Sequence, residues 1–397
     1  FSSRRRHTRC ISGAEVPDVS GNQARIEWFS AAGHFLCHFY MQAFPTLALY
    51  IPLAYGIERT AALNLNFAMA FLFGFGALPS GLIGDRWQGR GMLLISFLGM
   101  GACSLACAAC TTPGQLTVAL AGIGLFASIY HPIGMGLISK CCPNRGQSLG
   151  RNGVAGSLGI GAAPLLVGQL MAAGFSVPKA FATLAIPSLA VGVALLFVRI
   201  DETPLTAKTT APQRRGDRTG FLIMLACMTL LGIAYRASTQ VLPTHFEAQI
   251  GMVPWLAKSA KESATILAAC VLLMAMVGQL IGGRAADRHD LRKAYVVFHL
   301  LSIPMVLLMA SQTGLSLAGI AILYYTLSLG MQPIENSIVA RITPDRLRAT
   351  GFGIKFFCCF GLGAVGVALA QHMADEYSVE RLYSVVGSLI ILVMCIF

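Results

Sequence analysis

The chain has 397 residues, 55% of them hydrophobic and only 12% charged, with a mean hydropathy of +0.68. A soluble domain carries roughly 25% charged residues, so this chain lacks the polar surface to face water, and it is too apolar to be disordered. Its net charge of +12 would suit a nucleic-acid partner, but most of the basic residues lie in loops of one set, which argues against that reading and leaves a helical membrane protein.

Residues 1–27 read as a cytoplasmic tail. They carry Arg4, Arg5, Arg6, Arg9 and Arg25, have no apolar signal-peptide core, and include Glu15 and Asp18, which argue against an organelle transit peptide. Apolar stretches that can span a bilayer follow over 28–55, 61–84, 91–110, 115–138, 147–173 and 178–198. A linker over 199–219, with two prolines and five basic residues, breaks the series. Six more stretches cover 220–246, 263–286, 294–311, 314–340, 349–373 and 382–397. The pattern predicts an all-α membrane protein of twelve helices, as a bundle over 28–198 and a second over 220–397. Only 16 residues follow Arg381, against about 20 for a span, so the last helix is expected to be truncated.

Orientation follows from Lys and Arg placement. Of 29 such residues, 22 fall in the tail, the linker and the loops on their side; the alternate loops hold Arg59, Lys179, Lys258, Lys261 and Arg381. Both termini are therefore expected in the cytoplasm.

An internal repeat organises the chain. HPIGMGLISKCCPNRGQSLG (131–150) matches QPIENSIVARITPDRLRATG (332–351) at an offset of 201, pairing Pro132 with Pro333, Pro143 with Pro344, and Arg145 with Arg346. GLIGDRWQGR (81–90) matches GRAADRHDLR (283–292) at an offset of 202, pairing Asp85 with Asp287, Arg86 with Arg288, and Arg90 with Arg292. Two parallel repeats imply a cargo site near the membrane midplane, between the halves.

GLIGDRWQGR resembles the loop signature of the major facilitator superfamily, Gly-x-x-x-Asp-Arg-x-Gly-Arg, with its weaker second copy. Gln88 sets Gly89 and Arg90 one place later than that pattern. The resemblance covers nearly the whole chain. It implies that Gly81, Asp85, Arg86 and Arg90, with Asp287 and Arg288 in the copy, form a conformational latch in which Asp85 caps a helix across the interface. GHFLCHFYMQAFPTL, ASIYHPIG and NGVAGSLG resemble the fosmidomycin-resistance-like branch of bacterial permeases, which implies export and a bacterial inner membrane. NGVAGSLGIGAAPLLVG also resembles the family's antiporter motif, with Ala163 before Pro164 where the motif has Gly.

Ionisable side chains inside apolar helices are expensive and point to function. Glu335 lies about 9 Å inside the tenth helix from Arg341, and Lys355 about 9 Å inside the eleventh from Ala349. Similar depth and opposite charge predict a pair, either a static bridge or a charge switch that takes a proton or meets an anion. His131 is a proton relay or a helix-to-helix hydrogen bond, with Asn152 following at the start of the fifth helix. His34 and His38 share a face of the first helix, with Gln42 one turn on; they line a cavity, pack, or hold a metal for which no third ligand is evident. Arg236, about 24 Å into the seventh helix from Gly220, binds an anion or reaches toward headgroups. Met224 and Met228 are the donors a copper reading would use, or plain packing.

No GxSxG, Walker loop or HExxH is present, so no enzyme, no cofactor and no ATP drive are expected. The sequence predicts a monomeric secondary transporter in the lipid bilayer, exporting a small organic compound, anionic or drug-like, with H⁺ as coupling ion. The alternatives are an importer of a metabolite or a transition metal such as copper, and a non-transporting membrane sensor.

Overall fold

In hydrocarbon no water satisfies a backbone N–H or C=O, so apolar stretches of this length close their hydrogen bonds along a helix. The computed structural model describes residues 19–48, 50–58, 61–62, 65–204, 216–257 and 259–397. Among them the first six long helices are α1 (Val19–Leu47), α2 (Asn66–Gly84), α3 (Gly89–Ala109), α4 (Pro113–Cys141), α5 (Arg145–Ala172) and α6 (Val177–Leu196). The second six are α7 (Arg218–Gln249), α8 (Ala260–Arg288), α9 (Leu291–Met309), α10 (Gly314–Ile342), α11 (Asp345–Glu376) and α12 (Val379–Ile396). No strand occurs among the described residues. Among the described residues, eleven helices are long and apolar enough to cross a membrane. The exception, α1, carries His34, His38 and Gln42 along its length.

Short polar side chains fix the helix ends. Thr112 and Gln115 form a reciprocal capping box at α4, and Asp217 accepts from the Gly220 amide at 2.8 Å to start α7. Asp290 accepts from the amides of Lys293 and Arg292 at α9, and the Lys293 amide in particular holds this exposed carboxyl below its usual range. Helix α11 is irregular: a 3₁₀ turn (Asp345–Leu347), regular helix from Arg348, then a π turn over Phe357–Gly361.

Serines join α3 to α6 inside the first half. Ser104 Oγ donates to the Phe181 carbonyl at 2.7 Å and Ser188 Oγ to the Phe97 carbonyl at 2.8 Å. One apolar core fills this half and continues into the second through Ile334, Ile338, Phe352 and Phe356. A separate core around Phe246, Tyr325 and Tyr383 fills the opposite end of the second half. The two halves are thus fused at one end only.

One expected boundary shifts. Helix α1 begins by Val19, so residues 19–27 of the expected tail are helical. Their polarity gives them the look of a tail, but their polar groups have partners. Asn22 exchanges two hydrogen bonds with the Asp201 backbone, and Glu27 meets Arg151 at 2.5 Å. Within the linker, Glu202 accepts from the amides of Gly89 and Arg90, both at 2.7 Å. The tail arginines Arg4, Arg5, Arg6 and Arg9, and Lys208, Arg214 and Arg215 of the linker, lie outside the described residues.

Candidate functional site

The fused end is closed by two matching helix caps. The first amides of a helix lack intrahelical acceptors and carry a partial positive charge. Asp85, at the end of α2, accepts from the Ala349 amide at 2.9 Å and the Thr350 amide at 2.7 Å. Asp287, at the end of α8, accepts from the Gly146 amide at 2.7 Å and the Gln147 amide at 2.8 Å. Regular helix starts at Arg348 in α11 and at Arg145 in α5, so each carboxylate takes the second and third amides. Each half therefore closes a helix of the other.

Glycine makes the approach possible. A Cβ on Gly81 would stand 2.5 Å from the Ala349 carbonyl oxygen, and one on Gly283 would stand 2.6 Å from that of Gly146. Lys140 Nζ lies 3.5 Å from Asp85. Arg86 and Arg288 are exposed. Arg90 takes no part in the caps. Its Nε donates to the Val198 carbonyl at 2.7 Å and its Nη2 to that of Leu195 at 2.8 Å. Arg90 thus closes the end of α6 within its own half.

Away from the caps the halves part around a cavity of about 590 Å³. It runs from Met135 and Gln279 to Pro45, Asn66 and Gln240, near the helix ends opposite the caps. His34, His38 and Gln42 of α1 face Arg236 of α7 across it, with Glu335 and Lys355 on its wall. Lys355 Nζ meets Glu335 Oε1 at 2.5 Å, with both side chains buried, and also donates to Asn336 Oδ1. Glu335 is the single carboxylate on the wall among the described residues, and Lys355 matches its charge. Arg236 has no carboxylate partner among the described residues.

The three histidines form one cluster. Ring centroids stand 4.9 Å apart for His34–His38, 5.1 Å for His34–His131 and 5.2 Å for His38–His131. His131 stacks on Phe356 at 4.4 Å. Asn152 lies behind this cluster rather than on the cavity wall. Its carbonyl oxygen is 2.7 Å from His34 Nδ1, and its Oδ1 accepts from Tyr130 Oη at 2.7 Å. Met228 lines the cavity whereas Met224 packs in the core, so the two sulfurs do not form one site on the wall. Sequence reasoning missed His299, Gln279 and Asn336, all of which line the cavity. The position of Asn336 beside Glu335, and the polar Gln279 and His299 within apolar stretches, were the available signals.

A sequence model described as the Major Facilitator Superfamily matches residues 30–368. The 4-hydroxybenzoate transporter PcaK of Pseudomonas putida is 27% identical over 356 residues, covering 79% of this chain and 77% of that protein. The proton:xylose symporter XylE, solved with 6-bromo-6-deoxy-D-glucose, superposes with a TM-score of 0.75 at 12% identity over 95% of each chain. The human organic anion transporter MFSD10 superposes at 0.72 with 15% identity, over 94% of this chain and 99% of that one. The E. coli fucose:proton symporter FucP gives 0.69 at 12% identity, over 94% and 98%.

Proposed function

The chain belongs to the major facilitator superfamily, so it is a membrane transporter and not an enzyme, and we propose that it exports a small organic anion by alternating access coupled to protons. The observation that carries the anion reading is Arg236, a cation on the cavity wall without a carboxylate partner among the described residues. A cation within a membrane-spanning helix calls for a partner or a wet cavity, and an anionic cargo entering this cavity supplies the missing countercharge. A cavity of about 590 Å³ is in the range that holds small-molecule ligands. The relative named a 4-hydroxybenzoate transporter carries the name of an aromatic carboxylate, a cargo of this charge class.

The Glu335–Lys355 pair supplies the proton step. While Glu335 is ionised it holds Lys355 at 2.5 Å. For export the two alternate: the anion travels on Arg236 while Glu335 is ionised and paired with Lys355, and Glu335 takes its proton only on the return stroke, after the anion has left. The reading sets both caps and both termini on the cytoplasmic face of a bacterial inner membrane, with one chain as the working unit. The cavity then faces outward. Export is the direction implied by the likeness of α1, α4 and α5 to drug-resistance permeases.

The test is a growth panel in an efflux-deficient bacterial host expressing the chain or its Glu335→Gln variant. Resistance to aromatic carboxylates or anionic antibiotics, lost in the variant, is the expected result. Hypersensitivity to the same compounds would reverse the direction. Resistance confined to neutral or cationic compounds would refute the anion reading.

A further inference from the structure

The cluster of His34, His38 and His131 carries more than a lining role. Each residue offers one ring nitrogen, and the three nitrogens lie within 4.8 Å of one another. Two of the histidines are one helical turn apart on α1, and the third comes from α4. Three imidazoles converging from two helices, with a fourth side left open, is the donor set of an open zinc-type site.

The ring orientations favour a ligand role. His34 Nδ1 sits 2.7 Å from the Asn152 carbonyl oxygen. A carbonyl only accepts, so Nδ1 carries the proton and Nε2 keeps its lone pair. Metal-binding histidines are commonly oriented by this arrangement, with the non-ligating nitrogen bonded to a backbone carbonyl. On the buried His131, Nε2 lies 3.9 Å from Cys37 Sγ, whereas Nδ1 has no hydrogen-bond partner among the described residues. A buried ring nitrogen normally finds a partner. Gly156 makes room for the cluster, because a Cβ there would stand 2.6 Å from Cε1 and Nε2 of His34. His38 is half-buried and lines the cavity, so the site can be reached from it.

We propose that His34, His38 and His131 bind one divalent transition-metal ion of the Zn²⁺ class, with the fourth coordination position facing the cavity. Imidazole donors suit Zn²⁺, Ni²⁺ and Co²⁺ rather than the hard Mg²⁺ and Ca²⁺. Cu⁺ would draw on Met228 instead. Closing the ligands around an ion asks for rotamer shifts of about 1 Å, since tetrahedral ligation at about 2.1 Å sets nitrogens roughly 3.4 Å apart. The assignment does not depend on the cargo, and flux separates an ion that is carried from one that is held.

The experiment uses the purified full chain in detergent, titrated with Co²⁺ as a visible probe and then with Zn²⁺. One Co²⁺ per chain is expected, with the intense absorption of a tetrahedral site, displaced by Zn²⁺. His38→Ala and His131→Ala should each weaken binding by about 100-fold or more, while Met228→Leu leaves it unchanged. Gly156→Ala, which displaces the His34 ring without removing a ligand, should weaken it as well. No Co²⁺ band in the wild-type chain would overturn the site without recourse to any variant. Equal binding by wild type and by well-folded His38→Ala and His131→Ala would overturn it too. With binding established, Zn²⁺ uptake by proteoliposomes identifies the ion as cargo, and binding without uptake identifies it as a resident ion; both support the site.

Discussion

Arg236 and the Glu335–Lys355 pair carry the account at the scale of single residues. Breaking a buried pair from one side leaves an uncompensated charge, a loss of about 3–5 kcal/mol. Glu335→Gln should therefore lower the thermal midpoint in detergent. The double change Glu335→Gln with Lys355→Met should recover most of it, and neither variant should transport against a proton gradient. Arg236→Gln should raise the half-saturating concentration of an anionic cargo by about tenfold or more, the scale of a charged hydrogen bond of roughly 1.5–3 kcal/mol, and leave the thermal midpoint near wild type. These residues were legible in the sequence because a charge inside an apolar helix is too costly to stand there without a partner or a wet cavity. His131 was legible as a polar oddity but not as a partner of His34 and His38, since that grouping depends on how α4 packs against α1. Asn152 reads in the sequence as a residue of the cargo site, yet it works through the His34 ring and Tyr130.

The caps belong to the scale of helices. A carboxylate at a helix N-terminus contributes about 0.3–1 kcal/mol, and up to ~2 kcal/mol when partly buried. Two caps together bias the closed end by roughly 2 kcal/mol, a factor of about 30 in population, small enough to reverse in each cycle. Asp85→Asn and Asp287→Asn should each open the capped end in part, and together more fully. Spin labels at the exposed positions Arg86 and Arg346 would report this as a longer distance. Gly81→Val should act more strongly, because the Ala349 carbonyl leaves its Cβ no space. The variant is expected to stay open at the capped end and to lose transport while still folding. All twelve apolar stretches were legible in the sequence, and the Asp85 cap only through the likeness of its loop to the superfamily signature. The start of α1 was not, because its first turns are polar and gain their partners from Asp201, Ser148 and Arg151, which are distant in sequence. Arg90 shows the same limit: the likeness of its loop placed it in the latch although Gln88 sets it one place off the pattern, and in the fold it closes α6.

At the scale of the whole molecule, the halves are fused at the capped end by a shared core and diverge around a cavity that reaches the other end. Repeats related in this way exchange access by rocking about a fixed central site. The sequence displayed this plan through its two offsets of nearly the same size. It could not display the cargo, because cavity shape depends on side chains from helices throughout the chain. The most direct test of the account uses the purified chain in liposomes with an imposed pH gradient and a labelled aromatic carboxylate. Accumulation of the label driven by the gradient, with matching proton movement, and its loss in both Arg236→Gln and Glu335→Gln, is the predicted result. Flux that ignores the gradient, or that persists unchanged in Arg236→Gln, would contradict it.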